Sequence, residues 1–545
     1  MSKIAFNNLA EAFCHSSRTY SNKSFLNNDL GITITYSEAE ERSLAISEQL
    51  RNIGIGKNDK VAIIAENSPF WPIAYFAIML SDATAVPILP EFSASDIAAL
   101  LQHSETKAIF VSSKQILKLD TTSTLPIFEI SDNGIIPLKN QQKSVNRRHS
   151  ENVSLSDIAS IIYTSGTTGT PKGVMLTHDN FLQNVEGCYA VQDVNSTDVF
   201  LSILPLAHAY EFTIGFLLPM ISGSTIHYLS KPPAVTNLLP ALLSIRPTTM
   251  LTVPLIMEKI FKNGIKPKLT SNKVSSAIYG TAIGRKLLHY LAGIELKKKF
   301  GGRIRFFGIG GAKLDLETER FLNEAKFPYS IGYGMTEASP LLAGSPPRET
   351  KLYSTGLPVK NLELQIINPD PKTGIGEIWA RGRSVMAGYF KQPELTDNII
   401  TKDGWLKTGD LGKQNKKGYL YICGRLKNII LGANGENIYP EDIEALLNRH
   451  TLVEESLVYE FKGKLIASVH LNYEQIEKQY NEFKQVAQNL QREYEEKKNE
   501  ILKELQIYVN SRVNRSSQLT VVMDNGNPFE KTPTLKIKRY LYTTV

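Results

Sequence analysis

The sequence predicts an α/β chain: a large N-terminal domain of stacked, mostly parallel sheets with helices, a small β subdomain, and a smaller α+β C-terminal domain. Three observations predict it. Short β-branched runs alternate with helical stretches as far as Tyr333, the rhythm of βαβ units and parallel sheet. From Gly356 strands follow one another with no long helix between them. At Gly424-Arg425-Leu426-Lys427 the texture changes again, and the C-terminal domain is expected to begin there.

The elements follow in order. Thr35-Tyr36-Ser37-Glu38 reads as a capping box, with Glu38 at the third helical position, and opens a helix that ends near Gly54. A strand is expected over 60–65, then a helix begun by Ser68-Pro69, a strand over 85–88, a helix from Ser95 and a strand over 109–112. Residues 121–152 are polar and irregular and read as a surface excursion. Strands are expected again over 200–204, 225–229, 249–253, 303–309 and 329–333, with helices between them. Half-buried strands at 362–367 and 377–380 make the β subdomain. Beyond Arg425 come a helix from Pro440, strands at 456–460 and 464–471, and a long helix over 473–508. In that helix Ile476, Tyr480, Phe483, Ala487, Leu490 and Tyr494 recur at spacings of four and three, continued by Ile501, Leu505 and Tyr508. Such a seam packs on its own domain, on another chain or on a membrane surface.

At 545 residues the chain exceeds one ordinary core. The 42% hydrophobic and 21% charged residues are those of a globular protein. A net charge of +7 is small for this length, and Lys and Arg form no long block, so nothing demands nucleic acid. Cys14, Cys188 and Cys423 lie far apart, which excludes a disulfide scaffold and zinc spacing. With no signal-peptide core and apolar stretches too short to span a bilayer, a cytoplasmic protein is expected.

The chemistry concentrates in residues 163–173, Tyr-Thr-Ser-Gly-Thr-Thr-Gly-Thr-Pro-Lys-Gly, directly after the apolar run 158–162. Free backbone N–H groups, the hydroxyls of Thr164, Ser165, Thr167 and Thr168, and one cation, Lys172, suit a polyanion. Gly166, Gly169 and Gly173 let the backbone approach a phosphate chain. It is not a Walker A loop, because Pro171 precedes Lys172 and Gly173 follows it.

Four further segments complete the set. Tyr333-Gly334-Met335-Thr336-Glu337 offers a ring for a flat base, a hydroxyl for a phosphate and a carboxylate for Mg²⁺. Asp410, after Thr408-Gly409, could accept both hydroxyls of a ribose, with Arg425 adding a cation. Residues 308–312, with Gly311 and Ala312, form a glycine-rich strand end able to lie against adenine. The C-terminal Lys531-Thr-Pro-Thr-Leu-Lys536-Ile-Lys538-Arg539 presents a reachable lysine in a proline-stiffened loop. For each of these an ordinary turn or solvated tail is the bland alternative.

In chain order, the loop 163–173, Tyr-Gly-Met-Thr-Glu at 333–337, Thr-Gly-Asp at 408–410, Gly-Arg-Leu-Lys at 424–427 and Pro-Thr-Leu-Lys-Ile-Lys-Arg at 533–539 together resemble the adenylate-forming (AMP-binding) superfamily of acyl-CoA synthetases, luciferases and peptide-synthetase adenylation domains. The stretch from Gly424 to Glu444 and the Thr-Pro-Thr-Leu-Lys ending most resemble bacterial long-chain fatty-acid–CoA ligases. The resemblance implies activation of a fatty acid with ATP and Mg²⁺ to an acyl-adenylate, then transfer to coenzyme A with release of AMP. It also implies roles. Lys536 would serve adenylation, carried by a mobile C-terminal domain over 429–545; Lys538, two residues on, is its competitor. Thr164 and Glu337 would position Mg²⁺; Ser165, Gly166, Thr167, Thr168, Gly169 and Lys172 would hold phosphates. Tyr333 would stack on adenine near Gly311, with Ala312, Gly334, Met335 and Thr336 also in the nucleotide site, and Asp410 with Arg425 would bind the ribose. Lys427, where relatives often carry aspartate, would be the pivot of a hinge over 425–428 that ends the domain 1–424, and Gly435 would border the CoA path.

Some alternatives stay open. His208 is either a gate or a core histidine, and Phe212, Ile214, Phe216, Leu217 and Leu218 either line an acyl tunnel or pack an ordinary helix. The acceptor could be a carrier-protein phosphopantetheine, or the chain a non-catalytic binding protein of this fold. A lipidic substrate would favour contact with the inner face of a membrane, and a homodimer is compatible with the reading.

Overall fold

A computed structural model describes residues 6–120, 124–139, 153–164, 172–431, 437–481, 490–532 and 537–543. Two large sheets organise the N-terminal part. One has seven strands, in the order Tyr329–Ile331, Phe306–Ile309, Thr249–Thr252, Val199–Ser202, Thr225–Tyr228, Ser24–Asn28 and Thr33–Thr35, parallel except for the last pair. The other has eight, in the order Gly388–Tyr389, Lys172–Thr177, Ile158–Thr164, Thr84–Ile88, Lys60–Ile64, Thr106–Ser112, Ile127–Ser131 and Gly134–Lys139. Its interior strands are parallel and its edges antiparallel.

Side-chain alternation places the layers. Val61 and Ile63 face the core shared by both sheets, whereas Ala62 and Ile64 face a separate cluster on the outer side. Phe200 points into the shared core and Leu201 into the outer cluster of the seven-stranded sheet. The helix Phe70–Leu80 is buried on nearly every side between the layers, as its unbroken apolar sequence requires. The capping box at Thr35 forms as expected: Glu38 N donates to Thr35 Oγ1 at 3.2 Å and Thr35 N to Glu38 Oε2 at 2.8 Å.

Two expectations are corrected. Residues 121–152 are not merely an excursion, because Ile127–Ser131 and Gly134–Lys139 extend the eight-stranded sheet as a hairpin. Residues 329–333 are not one strand: Tyr329–Ile331 ends the large sheet, while Tyr333–Gly334 pairs in a separate three-stranded sheet with Leu341–Gly344.

The β subdomain is a four-stranded antiparallel sheet, Leu362–Ile367, Gly376–Gly382, Leu406–Gln414 and Leu420–Arg425. Beyond it, Val453–Phe461, Lys464–Leu471 and Val521–Asp524 form a sheet with its own core. The predicted long helix is described as Tyr473–Asn481 and Leu490–Asn510; the side chains of 478–494, with Tyr480, Phe483, Ala487, Leu490 and Tyr494 of the seam, lie outside the described residues. Ile476, Ile501 and Leu505 are buried in that same core, so the described seam packs on its own domain. Arg449 pairs with Asp315 at 3.2 Å, Lys313 with Asp442 at 2.8 Å, and Lys262 donates to the Asn448 carbonyl at 2.7 Å, fastening this part to the seven-stranded layer.

The helical turns after His208 are wound as a π-helix, Glu211–Leu217. Phe212 and Phe216 pack against Trp71, Tyr75 and Phe76. Of the five residues weighed for a tunnel, Leu217 and Leu218 are fully buried and Phe212 and Phe216 sit in the shared core, while Ile214 lines a narrow cavity. The packed-helix reading holds for the other four. Glu211 is buried within this turn with Oε2 unpartnered, and a Cβ at Gly215 would stand 2.5 Å from its Oε1.

Burial pushes the Glu211 carboxyl up to about 8 from its ordinary 4.5. The folded chain therefore holds a proton that the unfolded chain releases above pH 4.5, and stability drains away as pH rises towards 8. Glu211→Gln should remove that drain. In urea titrations from pH 5 to 8 its stability relative to wild type should climb by about 1.4 kcal/mol per pH unit. Parallel curves would mean that the carboxyl is not held neutral.

Candidate active site

A buried carboxylate joins three elements at one end of the cleft. Asp410, 5% exposed, lies on the strand Leu406–Gln414 directly opposite Arg425, and their side chains pair at 2.9 Å. The Tyr333 hydroxyl donates to Asp410 Oδ2 at 2.8 Å. This contact fixes the ring of Tyr333 at the point where the seven-stranded sheet hands the chain to the small one. Burial and the neighbouring carboxylate both hold the phenol well above its usual pKa.

The Tyr333–Glu337 turn is shaped by close backbone contacts. A Cβ on Gly334 would lie 2.1 Å from the Pro340 carbonyl, so only glycine fits there. Met335 N donates to that same carbonyl at 3.0 Å, and Thr336 is buried in a single 3₁₀ turn. Asn184 braces the turn from below: its Nδ2 donates to the carbonyls of Ala338 and Leu341, and its Oδ1 accepts from Leu341 N. Gly311, at φ +87°, and Ala312 lie exposed just past the strand Phe306–Ile309, and Gly332 N donates to Ile309 O beside them.

Glu337 and Lys172 meet at Tyr389. Its hydroxyl donates to Glu337 Oε1 at 2.8 Å, and Lys172 Nζ lies 5.3 Å over its ring. The β-hairpin register sets Lys172 opposite Thr164, the last described residue before the glycine loop. Lys427 stands in a 3₁₀ turn, Leu426–Asn428. Burial, then the charges of Lys172 and Arg425, lower its pKa. The charges of Lys172 and Arg425 thus both bear on Lys427, an arrangement that a polyphosphate relieves.

Lys172 and Glu337 therefore gather at Tyr389 with Thr164 opposite Lys172, and Tyr333 and Arg425 gather at Asp410, with the charges of Lys172 and Arg425 reaching Lys427; Gly334, Met335 and Thr336 lie in the turn between Tyr333 and Glu337. Ser165, Gly166, Thr167, Thr168, Gly169, Gly435 and Lys536 lie outside the described residues. Sequence reasoning missed Tyr389, Asn184 and Asn67. Asn67 donates to Leu204 O and accepts from Leu206 N, holding the segment that presents half-buried His208. Only the aromatic after Gly388 carried any signal; an asparagine that braces a distant loop leaves none.

A narrow cavity of about 20 Å³ lies beside the glycine-rich strand end, lined among others by Tyr210, Ile214, Leu251 and Gly308. Among the described residues no group of three His, Cys, Asp or Glu could hold a metal by itself. Glu337, with one carboxylate oxygen beyond the Tyr389 bond, fits a Mg²⁺ that brings its remaining oxygen ligands from phosphate and water.

Cations, carboxylates and an aromatic ring gathered on a two-sheet α/β body suit a nucleotide-binding enzyme. Residues 13–390 match the AMP-binding enzyme family, and the chain belongs to it. Over 487 residues it is 30% identical to the peroxisomal long chain acyl-CoA synthetase 6 of Arabidopsis thaliana, spanning 81% of this chain and 68% of that protein. It is also 30% identical to 4-coumarate–CoA ligase 1 of the same plant, over 82% and 79% of the two chains. O-succinylbenzoate coenzyme A synthetase of Bacillus subtilis, solved with ATP and magnesium ion, shares the fold with a TM-score of 0.74 at 23% identity, over 97% and 98%. The protein is an acid–thiol ligase that activates its acid as an acyl-adenylate and transfers it to coenzyme A.

Tyr389→Phe leaves the ring under Lys172 and removes only the bond to Glu337. It should raise the Mg²⁺ concentration for half-maximal activity by roughly tenfold or more, the scale of losing a group that orients a metal ligand. An unchanged Mg²⁺ titration would remove Tyr389 from that role.

Proposed function

We propose that the acid is a medium- to long-chain fatty acid and that the motif residues divide the work of two half-reactions. The observation that carries the division is the convergence of Lys172, Arg425 and Lys427 beside the Tyr333–Asp410 bond. Long-chain relatives and a 4-coumarate ligase match about equally well, so the acyl preference rests on this proposal.

In the first half-reaction a carboxylate oxygen attacks the α-phosphorus of ATP and the bond to pyrophosphate breaks. Two anions meet, so the site must supply positive charge as it develops need for it. Lys172 and the loop 165–169 hold the leaving phosphates, and Lys536 approaches the α-phosphate from the C-terminal domain. Glu337 and Thr164 hold Mg²⁺, which supplies charge neutralisation when bound. Asp410 accepts the ribose hydroxyls while Arg425 pairs with it, and the Tyr333 ring lies against adenine with Gly311 and Ala312.

In the second half-reaction the CoA thiolate attacks the acyl carbonyl, the carbonyl–phosphate bond breaks and AMP leaves. The thiol proton passes to solvent, since a thiol near pKa 8.5 needs little help. Rotation at Lys427 withdraws Lys536 and opens the path past Gly435, with 425–428 as hinge between 1–424 and 429–545.

Pyrophosphate release should peak at long chains across saturated acids from acetate to stearate, and acyl-CoA should form only with CoA present. Pyrophosphate without acyl-CoA would point to a carrier-protein acceptor instead. Lys536→Ala should slow adenylation by roughly 10²–10³ and spare thioester formation from supplied acyl-adenylate. Lys427→Pro should do the reverse. Equal losses in both half-reactions would refute the division of labour.

A further inference from the structure

The helix Ala282–Lys299 lies with its polarity inverted. Its inward side holds His289, Gly293 and Leu296 together with the Arg285–Glu324 ion pair at 3.0 Å. Its outward side presents Ile283, Leu287, Tyr290, Leu291 and Ile294, at spacings of four, three, one and three, which fall on one stripe. Ile283 is 84% exposed and Leu287 58%. The preceding helix Lys273–Gly280 adds Val274, 71% exposed, and Ile278. Contiguous apolar surface of this kind marks an interaction site rather than ordinary exposure.

Charge identifies the partner. Residues 259–303 carry nine lysines and two arginines against one acid, Glu295, which Lys299 already engages at 3.0 Å. That is more positive charge than the formal +7 of the whole chain. The basic residues are spread through several turns, so no long run betrayed them in the sequence. On the helix they gather: at 100° per residue Lys286 and Lys297 fall along one edge of the stripe, and Lys298 falls within it at its C-terminal end. Lys273, Lys286 and Lys297 make no ion pair among the described residues.

An exposed apolar stripe with a cationic edge and a cationic end, on a helix rather than in a groove, is the pattern of a helix lying in a lipid interface. Among the described residues no helix is long and apolar enough to cross a membrane, so the contact lies in the plane of the surface. We propose that the face formed by Lys273–Gly280 and Ala282–Lys299 docks on an anionic lipid bilayer. The docking stands on surface geometry and charge, independently of which acid the cleft activates.

The test is co-sedimentation of the full chain with vesicles of phosphatidylcholine, with and without phosphatidylglycerol. Wild type should bind the anionic vesicles and be released as salt rises. Ile283→Ser/Leu287→Ser, both on solvent-facing positions, should keep the folding midpoint and lose binding by roughly tenfold or more. Lys286→Glu/Lys297→Glu should lose the preference for anionic lipid. Pyrophosphate release with a water-soluble short acid should be the same in both variants, separating this surface from the cleft. Wild type that fails to sediment, or variants that sediment like wild type, would overturn the proposal. So would a dimer that Ile283→Ser/Leu287→Ser turns into a monomer without vesicle binding, which would make the face an interface between copies.

Discussion

The cleft depends on one buried carboxylate. Asp410 accepts from the Tyr333 hydroxyl and pairs with Arg425, and those three residues belong to a strand of the β subdomain, the exit of the seven-stranded sheet and the link to the C-terminal part. A buried ion pair of this kind contributes little net stability, because desolvation offsets much of its attraction. Its value is positional. Arg425 remains half exposed and keeps a face towards the cleft, while Asp410 and Tyr333 lose their freedom to turn elsewhere.

Around that anchor the chain sets cations against one another and braces them with polar side chains on neighbouring elements. Lys172 rests on the Tyr389 ring, whose hydroxyl also holds Glu337, so one aromatic side chain positions the cation and the carboxylate together. Asn184 fixes the turn that carries Glu337 without touching the cleft. The charges of Lys172 and Arg425 lower the pKa of Lys427 after burial does, and a polyanion placed among them would relieve that opposition.

The fold was legible where local chemistry is strong. The capping box at Thr35, the β-branched run at Lys60 and the alternation at Leu362 each produced the element they announce. It was illegible where a tertiary choice intervened. The strand after Tyr329 breaks because Tyr333–Gly334 leaves for another sheet, and residues 127–139 pair at a sheet edge despite their polar surroundings. The apolar run after His208 looked equally like tunnel or core. Only the aromatic packing of Phe212 and Phe216 decides for core.

The sequence by itself determined the chemistry: which side chains could meet phosphate, base, ribose and metal, because hydroxyls, glycines and charges are written into motifs a few residues long. Tertiary structure alone decided their partners. Tyr333 finds Asp410 across 77 residues and Tyr389 finds Glu337 across 52, distances in sequence over which no local propensity carries information. The outward-turned stripe of Ala282–Lys299 has the same origin. Its periodicity is visible in the sequence, but which side of an amphipathic helix faces water is settled by what the rest of the chain packs against it.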